Sequence, residues 1–144
     1  MRLVVDTNVL FSFFKKNSFT RGIILNGKLD LISPQLSLQE LKKYSEELKS
    51  KSKINEKILE EIFLELPLRI IFIPDSEYEN CFCEALKISE DIPESKREEF
   101  KEDIDFFALA IRENCAIWSN DSLFKEQHRI KIFNSLEIAK EFRV

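Results

Sequence analysis

The chain is 144 residues long, 44% of them hydrophobic and 33% charged, and its net charge is −4. These values are typical of a globular protein, and the length fits one domain over residues 1–144 with a full hydrophobic core. Two features are excluded: a membrane span, which needs a run of about 18 apolar residues, and an overall basic charge that attracts nucleic acid by itself.

The N-terminal segment and the cysteines both bear on the compartment. Asp6 interrupts the apolar N-terminal stretch and no small-residue cleavage site follows it, so we expect no secretion signal and a cytoplasmic protein. The three cysteines form no C-x-x-C pair and are expected to be free thiols, with a metal site as the alternative: Cys81, Cys83 and Cys115.

Short apolar, β-branched runs alternate with helical patterns along the chain. The predicted strands are residues 2–5, 68–73, 116–119 and 130–133, and residues 29–33 are a short strand or an extended segment. The predicted helices are residues 7–16, 20–27, 36–51, 54–66, 76–89, 102–115, 121–127 and 135–142, with a polar connection or helix start at 92–100. Gly27 and Pro67 are expected to end the helices that precede them. Strands separated by helices form βαβ units, so we predict an α/β fold with a parallel sheet covered on both faces.

Two of the predicted strands are followed by an aspartate. Asp6 comes directly after strand 2–5, and Asp121 comes two residues after strand 116–119. Ligands of open parallel sheets bind outside the carboxyl ends of the strands, so we expect both carboxylates at one edge of the sheet. The alternative role for each is that of a helix N-cap, which aspartate favours.

Three further acids lie on predicted helices. Glu40 falls inside the apolar stripe of helix 36–51, whereas Asp103 and Asp105 stand at the start of helix 102–115. The alternative for Glu40 is an ordinary exposed helix acid. The alternative for Asp103 and Asp105 is a favourable charge at the positive end of the helix dipole. Several carboxylates with no arginine nearby in sequence indicate a site for Mg²⁺ or Mn²⁺, which prefer oxygen ligands. A cation would relieve the repulsion of about 3 kcal/mol between carboxylates about 5 Å apart.

Four segments resemble the acidic motifs of the PIN domain family in their order and spacing: VVDTNVLFS, LSLQELKKY, EDIDFFALAI and IWSNDSLF. The resemblance extends from Val4 to the region after Asp121, and D-T-N-V-L after an N-terminal strand is its most telling element. It implies a three-layer α/β/α fold and Mg²⁺- or Mn²⁺-dependent cleavage of RNA, often by the toxin of a toxin–antitoxin pair. An antitoxin partner and a homodimer are implied by the same resemblance.

The resemblance also implies roles for individual residues. The implied catalytic acids are Asp6, Glu40, Asp103 and Asp121. The third acid is the residue five positions before Ala108 in the A-x-A pattern, and the nearby Asp105 is an alternative or additional metal ligand. Two polar residues fall where the family supports its first and fourth acids: Asn8 and Ser119.

The reaction that fits these residues is metal-assisted hydrolysis of a phosphodiester, which requires no histidine base. The only histidine, His128, is expected to be a surface or structural residue, and there is no G-x-S-x-G motif or Gly-rich phosphate loop. Four basic residues near the predicted edge would hold the nucleic-acid backbone or, as the alternative, form solvated helix faces: Lys15, Lys16, Arg21 and Lys125.

The 13 phenylalanines are dense in the segments FSFF and DFFALA. Part of each segment is expected to enter the core, and an exposed remainder would suit a dimer interface or an antitoxin segment.

Two other functions compete with the nuclease. A non-catalytic PIN-like scaffold would bind RNA or a protein, but the presence of all four acids argues against a degenerate site. A phosphatase of the haloacid dehalogenase type would need D-x-D after its first strand, and here Asn8 stands two residues after Asp6.

Overall fold

The core of the fold is a five-stranded parallel sheet with the strand order β3-β2-β1-β4-β5. The computed structural model describes residues 1–16 and 18–143. The strands are β1 Arg2–Val5, β2 Asp30–Pro34, β3 Ile70–Ile73, β4 Ala116–Trp118 and β5 Ile132–Phe133. The five predicted strands are therefore confirmed, and none of their ends moves by more than two residues.

Helices connect the strands and cover both faces of the sheet. The α-helices of the described residues are α1 Thr7–Phe13, α2 Phe19–Asn26, α3 Gln35–Lys43, α4 Ser45–Ser52, α5 Glu56–Arg69, α6 Phe82–Ile88, α7 Arg97–Lys101, α8 Ile104–Glu113 and α9 Ser135–Phe142. Short 3₁₀ turns occur at Asp75–Glu77, Glu79–Cys81, Ser89–Asp91, Glu94–Lys96 and Ser122–Glu126. Within the described ranges, no helix combines the length and the apolar character needed to cross a membrane.

The sheet divides the hydrophobic core into two clusters. Leu3 and Val5 of β1 belong to one cluster and Val4 to the other, which is the alternation expected of a strand. The first cluster packs against α1 to α5 and α9, and the second packs against α6 to α8. This arrangement confirms the predicted three-layer α/β/α fold with a central parallel sheet.

The prediction of one helix over residues 36–51 is wrong, because the chain breaks at Tyr44. This residue has φ −101° and ψ 27°, and it separates α3 from α4. Leu41 before the break and Leu48 after it are both buried in the first cluster, whereas Tyr44 is 44% exposed. The break therefore takes Tyr44 out of the apolar stripe while both leucines remain in the core.

Pro67 was expected to end its helix, but α5 continues to Arg69. Proline lacks an N–H group, so its presence near the end of the helix removes one backbone hydrogen bond. The amide of Ile70 still bonds to the carbonyl of Leu66, and β3 starts at Ile70. The end of α5 thus passes directly into β3 without a loop. Gly27, by contrast, ends α2 as predicted, in the left-handed conformation with φ 74°.

The predicted helix 76–89 starts as two 3₁₀ turns, and only Phe82–Ile88 is α-helical. The amide of Tyr78 bonds to the carbonyl of Asp75 at 3.1 Å, and the amide of Cys81 bonds to the carbonyl of Tyr78 at 2.9 Å. These tight turns direct the ring of Tyr78 into the second cluster, where the residue is 1% exposed. The predicted helix 121–127 is likewise a 3₁₀ turn, Ser122–Glu126.

The phenylalanine-rich segments are used by the core. The phenylalanines of FSFF and DFFALA are buried or half-buried, and Phe19 is the exposed phenylalanine of the chain, at 52%. The expected exposed phenylalanine patch is therefore absent from the described residues. The most exposed large apolar side chains are leucines instead: Leu64, Leu68 and Leu136.

Candidate active site

An acidic cavity of about 250 Å³ lies at the carboxyl edge of the sheet. It is lined by the four predicted acids, Asp6, Glu40, Asp103 and Asp121. Asp6 follows β1 and Asp121 follows β4. Glu40 lies on α3, and Asp103 precedes α8. The strand order reverses between β1 and β4, and this switch point is where open parallel sheets bind their ligands.

Asp6 is a buried carboxylate that is held on both of its oxygens. It is 3% exposed; its Oδ1 accepts a hydrogen bond from the amide of Val9 at 2.8 Å, and its Oδ2 accepts one from the hydroxyl of Ser119. Burial raises the pKa of Asp6 from 3.8 to about 6, although both hydrogen bonds lower it. Asp6 is therefore both the N-cap of α1 and a member of the acidic cavity.

Ser119 connects the first acid to the fourth. Its Oγ donates to Asp6 and accepts a hydrogen bond from the amide of Asp121 at 3.0 Å. Asp121 in turn accepts a hydrogen bond on Oδ1 from the amide of Leu123 at 2.9 Å. The amide of Asp6 bonds to the carbonyl of Trp118, so the ends of β1 and β4 are joined at both main chain and side chain.

Replacing Ser119 by alanine is expected to destabilise the protein by about 1–2 kcal/mol, because Asp6 then remains buried without its hydroxyl donor. Thermal unfolding without metal would measure the loss. Ser122→Ala, at an exposed serine on the following 3₁₀ turn, is the matched control. Equal stability of the two variants would show that the hydroxyl of Ser119 does not support Asp6.

Asp103 differs from an ordinary capping aspartate. It occupies the N-cap position of α8, but its side chain makes no capping hydrogen bond and lines the acidic cavity instead. Burial raises the pKa of Asp103 most, and the charges of the other three acids raise it further, to about 7. Asp6, Glu40 and Asp121 therefore lie close enough to Asp103 to disfavour the ionisation of its carboxyl group.

Six other residues line the same cavity: Thr7, Asn8, Phe11, Tyr44, Glu47 and Phe124. Of these, only Asn8 was predicted as a site residue. Glu47 is an additional acid that the sequence reading missed, because its position depends on the break at Tyr44. Its carboxylate also forms an ion pair, at 2.6 Å, with Lys51, which lies four residues later on α4.

The chemistry of the lining residues fits a divalent cation. The charged groups on the cavity wall are carboxylates, which are preferred ligands of Mg²⁺ and Mn²⁺. Thr7 adds a buried hydroxyl that bonds to no described group, and such a group is usually satisfied by water or a ligand. Among residues 1–16 and 18–143, however, no three acidic, histidine or cysteine side chains are already arranged to hold an ion. The donor set thus suits a cation that keeps part of its water shell, as Mg²⁺ usually does.

Asp105 lies apart from the four acids. Its Oδ2 accepts a hydrogen bond from the hydroxyl of Tyr78 at 2.7 Å, and it borders a separate small cavity. Side chains two positions apart on a helix point in directions about 200° apart. This geometry explains why Asp103 and Asp105 face different cavities. The structure therefore does not bring Asp105 to the position predicted for a metal ligand.

The four predicted basic residues do not line the acidic cavity either. Lys15 is exposed beyond α1, and Lys16 borders a different groove. The guanidinium of Arg21 lies 5.2 Å from the ring centre of Phe13, and Lys125 forms an ion pair with Glu137. These four residues thus lie outside the cavity wall, and their role in holding a nucleic-acid backbone stays a prediction.

The fold and the cavity together define a parallel α/β protein with an acidic site at its topological switch point. The PIN domain family model matches residues 4–132. The chain belongs to the PIN domain family, whose members are generally nucleases and generally depend on divalent metal ions.

Solved structures agree with this fold. A chain in the crystal structure of VapBC2 from Rickettsia felis, bound to a DNA fragment from their promoter, matches with a TM-score of 0.60 and 18% sequence identity. The match covers 93% of this chain and 98% of that chain. At this identity the likeness concerns the fold alone. No curated protein matches the sequence.

Proposed function

We propose that residues 1–144 form a single nuclease domain that cleaves RNA internally with the help of Mg²⁺ or Mn²⁺. The observation that carries this proposal is the meeting of four carboxylates from separate elements in one cavity: Asp6, Glu40, Asp103 and Asp121. Family membership supports nuclease chemistry and divalent-metal dependence in general.

The acids of the cavity would have different roles in binding a cation. A bound Mg²⁺ or Mn²⁺ would polarise the phosphate and lower the pKa of a water molecule. Asp6 would bind the cation with a carboxylate that Ser119 and the amide of Val9 hold in one orientation. Asp121 is oriented by the amide of Leu123, and the wall formed by Glu40 and Asp103 would complete the negative charge that attracts the cation.

Among the described residues, no histidine or cysteine lines this cavity. His128 is exposed and borders another cavity with Arg129 and Lys131. Cys115 is half-buried and its pKa is raised to about 11, mainly by burial, which makes it a poor nucleophile. The site therefore supports metal-assisted hydrolysis better than covalent catalysis.

RNA cleavage with Mn²⁺ or Mg²⁺ is the direct test. Purified protein is expected to cut single-stranded RNA in the presence of either ion and to stop when EDTA is added, because carboxylates alone supply no activated water. Gel analysis of a labelled RNA would measure the cleavage. Activity that persists in excess chelator would contradict the metal mechanism.

A second candidate is a non-catalytic PIN-like scaffold that binds RNA or a protein partner. It is favoured by the observation that three ligands for an ion are not preassembled in the described residues. Mn²⁺ binding without any cleavage of RNA would support the scaffold. Release of free phosphate from a monoester would instead point to a phosphatase.

We further propose that this nuclease is the toxin of a toxin–antitoxin pair, acts in the cytoplasm and forms a homodimer. The likeness in fold to a chain of VapBC2, which was solved on DNA from its promoter, supports an antitoxin partner. A small gene next to this one, whose product binds the protein and stops cleavage, is the expected finding. Light scattering of the purified protein would test the homodimer.

A further inference from the structure

A part-buried hydrogen bond between Tyr78 and Asp105 lies outside the acidic cavity. The hydroxyl of Tyr78 donates to Oδ2 of Asp105 at 2.7 Å. Tyr78 is 1% exposed, and its ring meets that of Phe82 edge-on with the centroids 5.6 Å apart. The proposed reaction uses neither residue of this pair.

The backbone of Tyr78 is held in place by hydrogen bonds on both its amide and its carbonyl. Its amide bonds to the carbonyl of Asp75, and its carbonyl accepts the amide of Cys81, so two consecutive 3₁₀ turns meet at this residue. The ring is fixed by the second hydrophobic cluster. The phenol therefore reaches α8 from a part of the chain that has little freedom to move.

The contact falls on the part of α8 that determines where Asp103 lies. Asp105 is in the first turn of α8, two residues after Asp103. Asp103 makes no capping hydrogen bond, so its own side chain does not fix the start of the helix. The bond from Tyr78 supplies a side-chain anchor for this turn from outside the helix.

The same pair also borders α3, the helix that carries Glu40. A small cavity of about 110 Å³ separates α3 from the pair, and it is lined by Gln35, Leu36, Gln39, Asp75, Tyr78 and Asp105. Gln39 is adjacent to Glu40 in the sequence. The Tyr78–Asp105 bond therefore borders α3, which carries Glu40, and joins the first turn of α8, which follows Asp103.

We propose that Tyr78 and Asp105 are positioning residues: their hydrogen bond fixes the first turn of α8 and so holds the carboxylate of Asp103 in the acidic cavity. This inference rests on the proposed function, because it gives the pair a role in cation binding. It assigns Asp105 a function through Asp103 rather than as a ligand.

Four proteins test the inference: the wild type, Tyr78→Phe, Asp105→Ala and Asp105→Asn. Phenylalanine keeps the packed ring and removes only the hydroxyl donor. Asparagine keeps an oxygen that accepts from Tyr78 and removes the negative charge, whereas alanine removes the acceptor. Hydrogen exchange of the metal-free proteins would report on the first turn of α8, with α9 as the internal reference. Calorimetric titration with Mn²⁺ would report on the site, and RNA cleavage would separate kcat from KM.

Tyr78→Phe and Asp105→Ala are expected to speed exchange at the start of α8, leaving α9 unchanged. They should weaken Mn²⁺ binding by about tenfold, which is typical when a supporting hydrogen bond of a metal ligand is lost. The loss should appear in kcat rather than in KM for RNA, since the pair does not line the acidic cavity. Asp105→Asn should remain close to the wild type in all three measurements.

Each way of failing has its own result. If Tyr78→Phe lowers the melting temperature but leaves exchange in α8 and Mn²⁺ binding unchanged, the bond is merely structural and the inference is overturned. If Asp105→Asn weakens Mn²⁺ binding as much as Asp105→Ala, Asp105 is a cation ligand and the inference is again overturned. A wild-type protein that binds no Mn²⁺ and cuts no RNA would overturn the proposed function, and with it the role of the pair.

Discussion

Asp6→Asn is expected to abolish RNA cleavage while leaving the fold intact. The amide has the shape of the carboxylate but lacks the negative charge that holds a cation. Its oxygen can still accept the amide of Val9 and cap α1, and its NH₂ group can donate to the hydroxyl of Ser119. We expect kcat/KM to fall by about 10³-fold or more, equivalent to about 4 kcal/mol of transition-state stabilisation.

Cleavage of a labelled RNA at saturating Mn²⁺, together with a thermal melt, would measure both parts of this result. Asp30→Asn is the matched control, because Asp30 is the first residue of β2 and lies at the opposite edge of the sheet, paired with Arg2. Near-normal turnover of Asp6→Asn, with a fold as stable as that of the wild type, would remove Asp6 from the catalytic set.

Stability of the metal-free protein is expected to fall as the pH rises from about 4 to about 7. Folding raises the pKa of Asp103 from 3.8 to about 7 and that of Asp6 from 3.8 to about 6. The native state therefore holds these protons more tightly than the unfolded chain, so a higher pH favours unfolding. For Asp103, which is half-buried and partly screened by solvent, we expect a loss of about 2 kcal/mol, or roughly 5–10 °C in Tm.

Asp103→Asn should remove most of this loss, since it takes one charge out of the cluster. In EDTA, it should melt near the wild type at pH 5 and above it at pH 8. Mn²⁺ should raise the Tm of the wild type at pH 8 more than that of the variant, because a ligand of the folded state stabilises it. Asp30→Asn should keep the pH dependence of the wild type. An Asp103→Asn variant that melts below the wild type at pH 8 would show that its carboxylate is a structural group.

Most of the fold could be predicted because its signals are local. Runs such as Leu3–Val5 alternate between two hydrophobic clusters, and Gly27 ends α2 in the left-handed conformation that glycine adopts easily. The predicted helices were wrong where packing between distant parts of the chain overrides a local pattern. The stripe of helix 36–51 continues through Tyr44, but burying both Leu41 and Leu48 bends the chain there.

The meeting of the four acids in one cavity could also be predicted, for two different reasons. Asp6 and Asp121 follow parallel strands, which by geometry end at one edge. Glu40 and Asp103 were assigned by resemblance to family motifs. The bond between Tyr78 and Asp105 joins residues 27 positions apart, and no periodicity in the sequence indicates it. The contact of Arg21 with Phe13 could not be predicted either, because it depends on how α1 and α2 pack.

The central position of β1 has a consequence for the order in which the protein becomes active during synthesis. Leu3 pairs with Ala116 of β4, so β1 is completed on one side only by a strand that is made after β2 and β3. A growing chain that has passed β2 and α3 already carries Asp6 and Glu40, but Asp121 is still missing. The four acids of the proposed nuclease can therefore meet only after β4 and Asp121 have left the ribosome, and ribosomal RNA is not exposed to a finished site before then.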